Sequence, residues 1–131
     1  MTEDIVQVWG IAGAFDELKT PVAYGGYFEL DSLGDIAGQI IDFPRGESLI
    51  VGKWRKDNLR FVKQYEEDKT FEVYYDFQRT SSGELWTGKY KVLEAGKFEG
   101  EGLASCVLRH FGPFQRRMTS QRGLEFPIFL E

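Results

Sequence analysis

The stretch Gly83-Glu84-Leu85-Trp86-Thr87-Gly88-Lys89-Tyr90 decides how this chain is read. A turn glycine opens it, a strand-like run follows with a glycine of its own, and an aromatic or large apolar residue stands two places beyond. The cadence recurs at Gly34…Gly38-Gln39-Ile40 and at Gly46…Gly52-Lys53-Trp54. Glycine inside a strand is destabilising unless the sheet bends there or another backbone comes close. Repeated use of it implies a sheet coiled by design, with large side chains filling the space each glycine leaves.

Working outward, strand-like runs appear at 5–12, 23–31, 36–43, 48–56, 59–67, 70–79, 84–92, 98–110 and 124–130. Residues 15–20 have some helical character that Pro21 ends. Turn signals separate the runs: Ser32-Leu33-Gly34, Pro44-Arg45-Gly46, Asp57-Asn58, Glu67-Asp68-Lys69, Ser81-Ser82-Gly83 and Glu94-Ala95-Gly96. Short strands at this spacing, without helices between them, predict an all-β fold. The expected form is an antiparallel meander making a closed or nearly closed barrel of about eight strands. Residues 1–131 are expected to form one β-barrel domain, with 112–131 as an extended C-terminal arm, because Pro127 suits an edge strand.

Alternation assigns the faces. Phe71, Val73, Tyr75 and Phe77 point one way, and Glu72, Tyr74, Asp76 and Gln78 the other. Trp86, Gly88, Tyr90 and Val92 continue the apolar face. A turn at Asp57-Asn58 pairs Trp54 with Phe61 and Ile50 with Tyr65, leaving Lys63 opposite Gly52. A turn at 80–83 pairs Phe77 with Trp86, Tyr75 with Gly88, Val73 with Tyr90 and Arg79 with Glu84. Beyond these, Phe98, Gly100, Gly102, Ala104 and Cys106 form an inward row of mostly small residues, which either receives rings or leaves a cavity.

Composition limits the function. Aromatic residues make up 15% of the chain, with 11 Phe and 6 Tyr, a content suited to strands with a ring-rich interior. The net charge of −5, with both signs mixed along the chain, argues against nucleic acid as a partner. No apolar run approaches the ~20 residues of a helical membrane span, so no membrane insertion is expected. Met1-Thr2-Glu3-Asp4 has neither the basic nor the apolar part of a signal peptide. The single cysteine, Cys106, has no partner for an internal disulfide. A reducing, cytoplasmic setting is the expectation.

Lys63 is the sharpest candidate for chemistry. It falls on the apolar face between Phe61 and Tyr65, and an ammonium there must find an anion, lose its proton, or reach out past a barrel rim. The functional expectation is a small, partly apolar ligand, anionic at one end, held by Lys63 with Tyr65, Tyr75 and Tyr90, and lined by Trp54 and Trp86. The rings serve equally well as a filled core. His110 at a strand end reads as a surface residue, and Cys106 as a small buried hydrophobe. One Cys and one His are too few for a structural zinc site, and no cofactor motif is present, so no metal or cofactor is expected. Glu99 with Glu101, and Glu72 with Asp76, alternate with apolar residues as a solvated outer face does, and Asp31 and Asp35 flank a turn whose backbone they cap. Without a catalytic motif, an isomerase- or lyase-type enzyme is the least supported class. The alternative to ligand binding is a homo-oligomer formed through the tail and exposed rings such as Tyr74.

Leu85-Trp86-Thr87-Gly88-Lys89-Tyr90 resembles the aromatic-x-Gly-x-aromatic strands of avidin-type barrels, and the length and meander order resemble calycins, which include avidins, lipocalins and fatty-acid-binding proteins. The resemblance implies a barrel that holds a ligand, and no binding residue is carried over. Gly52-Lys53-Trp54 stands mid-chain, whereas lipocalins carry their Gly-x-Trp near the N-terminus, and residues 13–20 are too short for the helical lid of fatty-acid-binding proteins.

Overall fold

The structure, a computed structural model, describes residues 3–17, 20–42, 46–119 and 124–129. It is an antiparallel meander of β1 (Glu3–Glu17), β2 (Thr20–Leu30), β3 (Asp35–Asp42), β4 (Gly46–Arg55), β5 (Asn58–Tyr65), β6 (Phe71–Arg79), β7 (Leu85–Glu94), β8 (Lys97–Thr119) and β9 (Leu124–Phe129). Each strand pairs with the next, and β1 pairs with β8, which closes an eight-stranded barrel. Closure removes the free edges that an open sheet of this length would present. β8 runs on past the barrel, still paired with β1, and β9 joins it over Phe114–Thr119.

The expected helical character at 15–20 is absent from the part described, since Phe15 to Glu17 continue β1 and pair with Val22 to Thr20. Phe15 is buried against Tyr24, Tyr75 and Tyr90, and that packing overrides local propensity. Residues 18–19 lie outside the described residues.

The in-strand glycines do what the cadence implied, but their rings come from the neighbouring strand. Gly38 faces Phe28, Gly52 faces Phe61 and Gly88 faces Phe77. A Cβ on Gly52 would sit 2.0 Å from the Arg60 carbonyl oxygen, and one on Gly88 would sit 1.8 Å from that of Asp76. Only glycine permits this approach, and the sheet coils there into a cylinder.

Two hairpin registers differ from the sequence reading by two residues. The β4–β5 loop is Lys56-Asp57, with Lys56 at φ 55, not Asp57-Asn58. Trp54 therefore faces Leu59, not Phe61, and Ile50 faces Lys63, not Tyr65. In β6–β7, Phe77 faces Gly88, Tyr75 faces Tyr90 and Val73 faces Val92. Arg79 faces Trp86, not Glu84, with its guanidinium 4.8 Å from the ring centre and 3.5 Å from Asp57. The true registers set each glycine against a phenylalanine, which the expected ones did not. The faces are unaffected, because a shift of two preserves the alternation.

The inward row on β8 holds for Gly100, Gly102, Ala104 and Cys106 but not for Phe98, which is exposed. The register slips between Val92 and Leu93, where Val92 faces Gly100 and Leu93 faces Phe98, and the extra residue turns Phe98 out. Gly102 receives a ring, since the Tyr90 side chain lies where its Cβ would be, whereas a Cβ on Gly100 would meet nothing within 4 Å.

Candidate functional site

Alternation along the strands sends two kinds of side chain into the barrel, and they segregate to its two ends. Toward the β2–β3, β4–β5 and β6–β7 turns lie the three tryptophans. Trp54 stands edge-on to Trp9 at 4.7 Å and to Trp86 at 5.5 Å, with Phe28 at 6.1 Å. The Trp54 indole donates to the Lys56 carbonyl at 2.8 Å, and the loop that carries Lys56 is thereby tied to the ring. The buried Trp9 Nε1 finds no hydrogen-bond partner among the described residues. His110 is exposed, packs on Trp9 at 4.7 Å and bonds to Gln7.

Toward the opposite end, where β1–β2, β3–β4 and β5–β6 turn, lies Lys63, wholly buried at 0% exposure. Its place inside follows from the alternation Leu59, Phe61, Lys63, Tyr65 on β5. The anion it needs is supplied by the protein itself. Lys63 Nζ donates to Asp42 Oδ2 at 2.7 Å and to the Tyr75 hydroxyl at 2.9 Å. The Tyr65 hydroxyl donates to the same Asp42 oxygen. Four rings surround the ammonium: Phe15 at 4.7 Å, Tyr65 and Tyr75 at 5.1 Å, and Tyr24 at 5.5 Å from their centres. Rings this close to a desolvated cation are a favourable contact, and Tyr75 meets it through its hydroxyl.

The other carboxylate oxygen, Asp42 Oδ1, is buried and has no hydrogen-bond partner among the described residues. Asp42 itself is 1% exposed. Burial pushes the Tyr75 hydroxyl well above its ordinary 10.0, with Tyr24 and the Asp42 charge adding to it. Burial does the same for Tyr24, helped by Cys106 and Asp42. The Cys106 thiol is pushed up to about 12 by burial and is therefore a poor nucleophile at neutral pH. The Tyr24 hydroxyl donates to the Ser105 carbonyl at 3.1 Å.

The six residues singled out in the sequence therefore divide. Lys63, Tyr65 and Tyr75 come together in one polar cluster. Tyr90 borders it, 6.3 Å from Tyr75, and spends its hydroxyl on the Asp16 carbonyl. Trp54 and Trp86 lie in the other cluster. Sequence reasoning missed Asp42, Tyr24 and Phe15. Asp42 continues the inward alternation Ile36, Gly38, Ile40 on β3, a signal that was present in the letters. Cys106 is buried and His110 exposed, each as its place in the strand pattern implied. Asp31 caps its turn as expected, its Oδ1 accepting from the Leu33 and Asp35 amides at 2.9 Å each. Glu99 and Glu101 face solvent. Among the described residues no group of three His, Cys, Asp or Glu could hold a metal ion, and no helix is long and apolar enough to cross a membrane.

Fold and interior together define the class of protein as a small closed antiparallel β-barrel with a buried lysine–aspartate pair. No protein-family model matches the chain, and no curated protein matches its sequence significantly.

Proposed function

We propose that this chain is a ligand-holding barrel of the calycin kind, and that its ligand brings a hydrogen-bond donor to Asp42 at the lysine end. The observation that carries the reading is the buried, unpartnered Asp42 Oδ1 beside a fully engaged Oδ2. An unmet buried acceptor costs about 1–3 kcal/mol, and a hydroxyl, amide or amine on a ligand would recover it. The rings of Phe15, Tyr24, Tyr75 and Tyr90 offer the apolar contact that small-molecule sites use. Because Asp42 already neutralises Lys63, the proposal moves from an anionic ligand toward a neutral or cationic one with an apolar body. The cytoplasmic setting proposed with it rests on the single buried thiol, Cys106.

Native mass spectrometry of the full chain, purified gently from cells, tests this. The expected result is an added mass that is lost on denaturation. An Asp42→Asn/Lys63→Met variant, which leaves no charge buried, is expected to fold and to lose that mass. A wild-type protein with no added mass, whose Tm also does not move with small alcohols, amides or amines, would overturn the reading.

A second reading is favoured by the ring contacts themselves. Tyr75 stacks on Phe61 at 4.8 Å and on Phe77 at 5.6 Å, as in a filled core. On that reading the interior is structural, and function lies on the outer wall.

A further inference from the structure

The outer wall over β4, β5 and β6 carries a row of side chains that the interior does not use. Val51, Val62 and Tyr74 face one another across the three strands and alternate with the inward Ile50, Phe61 and Tyr75. Val51 is 55% and Tyr74 40% exposed, and Leu49 beside them is exposed as well. The row floors a groove of about 520 Å³ that also reaches Lys53, Arg60, Asp76 and Lys89. Val62, between Val51 and Tyr74, is half-buried, and apolar side chains gathered side by side on an outer wall are candidates for a contact surface.

The charges beside the row indicate what covers it. One step toward the tryptophan end, the register sets Asp35, Lys53, Arg60, Asp76 and Lys89 in line across β3 to β7. Reflected through β5, this line is complementary to itself. Lys53 on β4 exchanges with Asp76 on β6, and Asp35 on β3 with Lys89 on β7. A twofold axis lying in a contact plane and running along β5 performs that exchange, because it preserves height along the strand and swaps the two sides. It also sets the two sheets in the aligned arrangement that packed sheets favour.

We propose that this face is the interface of a homodimer with its twofold axis along β5. Val62 meets Val62 of the second copy, and Val51 meets Tyr74. Lys53 meets the second copy's Asp76, and Asp35 meets its Lys89. The two Arg60 side chains approach one another at the axis, and each is held by its own Asp76 at 3.2 Å. An apolar row with random charges beside it would suit many partners; one whose charges invert across its own middle strand suits a second copy of itself.

Sedimentation equilibrium of the full chain across a dilution series tests the proposal. The expected result is a monomer–dimer equilibrium. Val62→Lys is expected to leave a folded monomer, judged by far-UV circular dichroism, and if it does not fold, Val51→Lys at the exposed end of the row takes its place. Lys89→Glu and Asp35→Lys are each expected to raise the dissociation constant about tenfold, and the double variant to recover most of that loss. A wild-type protein that stays monomeric throughout, or a folded Val62→Lys or Val51→Lys variant that keeps the dimer mass, would overturn the proposal. So would charge reversals without effect, or a double variant no tighter than the singles.

Discussion

The tryptophan end and the lysine end of the barrel are both built largely from rings, yet they hold together in different ways. At the first, Trp9, Trp54, Trp86 and Phe28 pack edge to face, and the Trp54 indole N–H bonds to a loop carbonyl. At the second, Phe15, Tyr24, Tyr65 and Tyr75 enclose a charged pair that has no solvent contact. Ring burial is non-directional and forgives small changes of shape. A buried ion pair is not forgiving: removing one partner strands the other charge in a low-dielectric interior. The first end is an apolar plug that tolerates conservative replacement. The second is a polar device that works as a unit, and one of its acceptors is still unmet.

The largest expected effect breaks the lysine end. Asp42→Ala should lower the unfolding free energy by about 3–5 kcal/mol, because Lys63 is left without its anion. Urea unfolding measures it, and Asp42→Leu/Lys63→Met should recover most of the loss. A cost below about 1 kcal/mol for the single variant would show that the pair is not what this end depends on.

At the tryptophan end the corresponding truncation, Trp54→Ala, should cost less. Trp54 is only half-buried, so about 2–3 kcal/mol is expected. Trp54→Phe should stay near 1.5 kcal/mol or below, since a ring still fills the space. If Trp54→Phe cost as much as Asp42→Ala, the contrast between the ends would fail.

Alkaline pH sharpens the comparison at the wall that joins the ends. The folded-state Cys106 thiol stands near 12 against an ordinary 9.0, so the unfolded chain gives up its proton first. This contribution to stability is whole below about pH 9 and is lost as pH rises toward about 12. Tyr24 and Tyr75, raised by burial, act in the same direction above 10.0. Urea unfolding at a series of pH values should show the decline, and Cys106→Ala should make it shallower. An unchanged slope in that variant would assign the whole decline to the tyrosines.

The smallest effect comes from a second lysine–aspartate pair with similar geometry. Lys53 meets Asp35 at 2.9 Å, but their side chains are 58% and 47% exposed. In the monomer, Lys53→Ala should cost no more than about 1 kcal/mol in urea unfolding at high dilution, because water screens the pair there. Breaking a pair of the same two residue types at nearly the same distance then costs several-fold less on the outer wall than inside.

Much of this could be read in the letters. The inward rows of β6 and β7 and the inside placement of Lys63 follow from strict alternation. Phe98 escaped because a bulge at Glu99 interrupts the alternation, and bulges leave little local signature. Asp42 escaped because an aspartate at a strand end, before Pro44 and Arg45, reads as part of a turn. Its inward register gains meaning only when Lys63, 21 residues away, is placed beside it.

By itself, then, the sequence determined the faces of most strands, the approximate places of the turns and the coiled character of the sheet, because these depend on a period of two and on residues without a Cβ. Tertiary structure alone decided the two-residue registers, the closure of β1 on β8 and the pairing of Lys63 with Asp42. Alternation is blind to any even shift, so the register had to be chosen by glycines meeting rings across strands. Closure sums the stagger of eight strands, which no single stretch of sequence contains. The ion pair exists only inside the closed barrel, where neither charge could remain without the other.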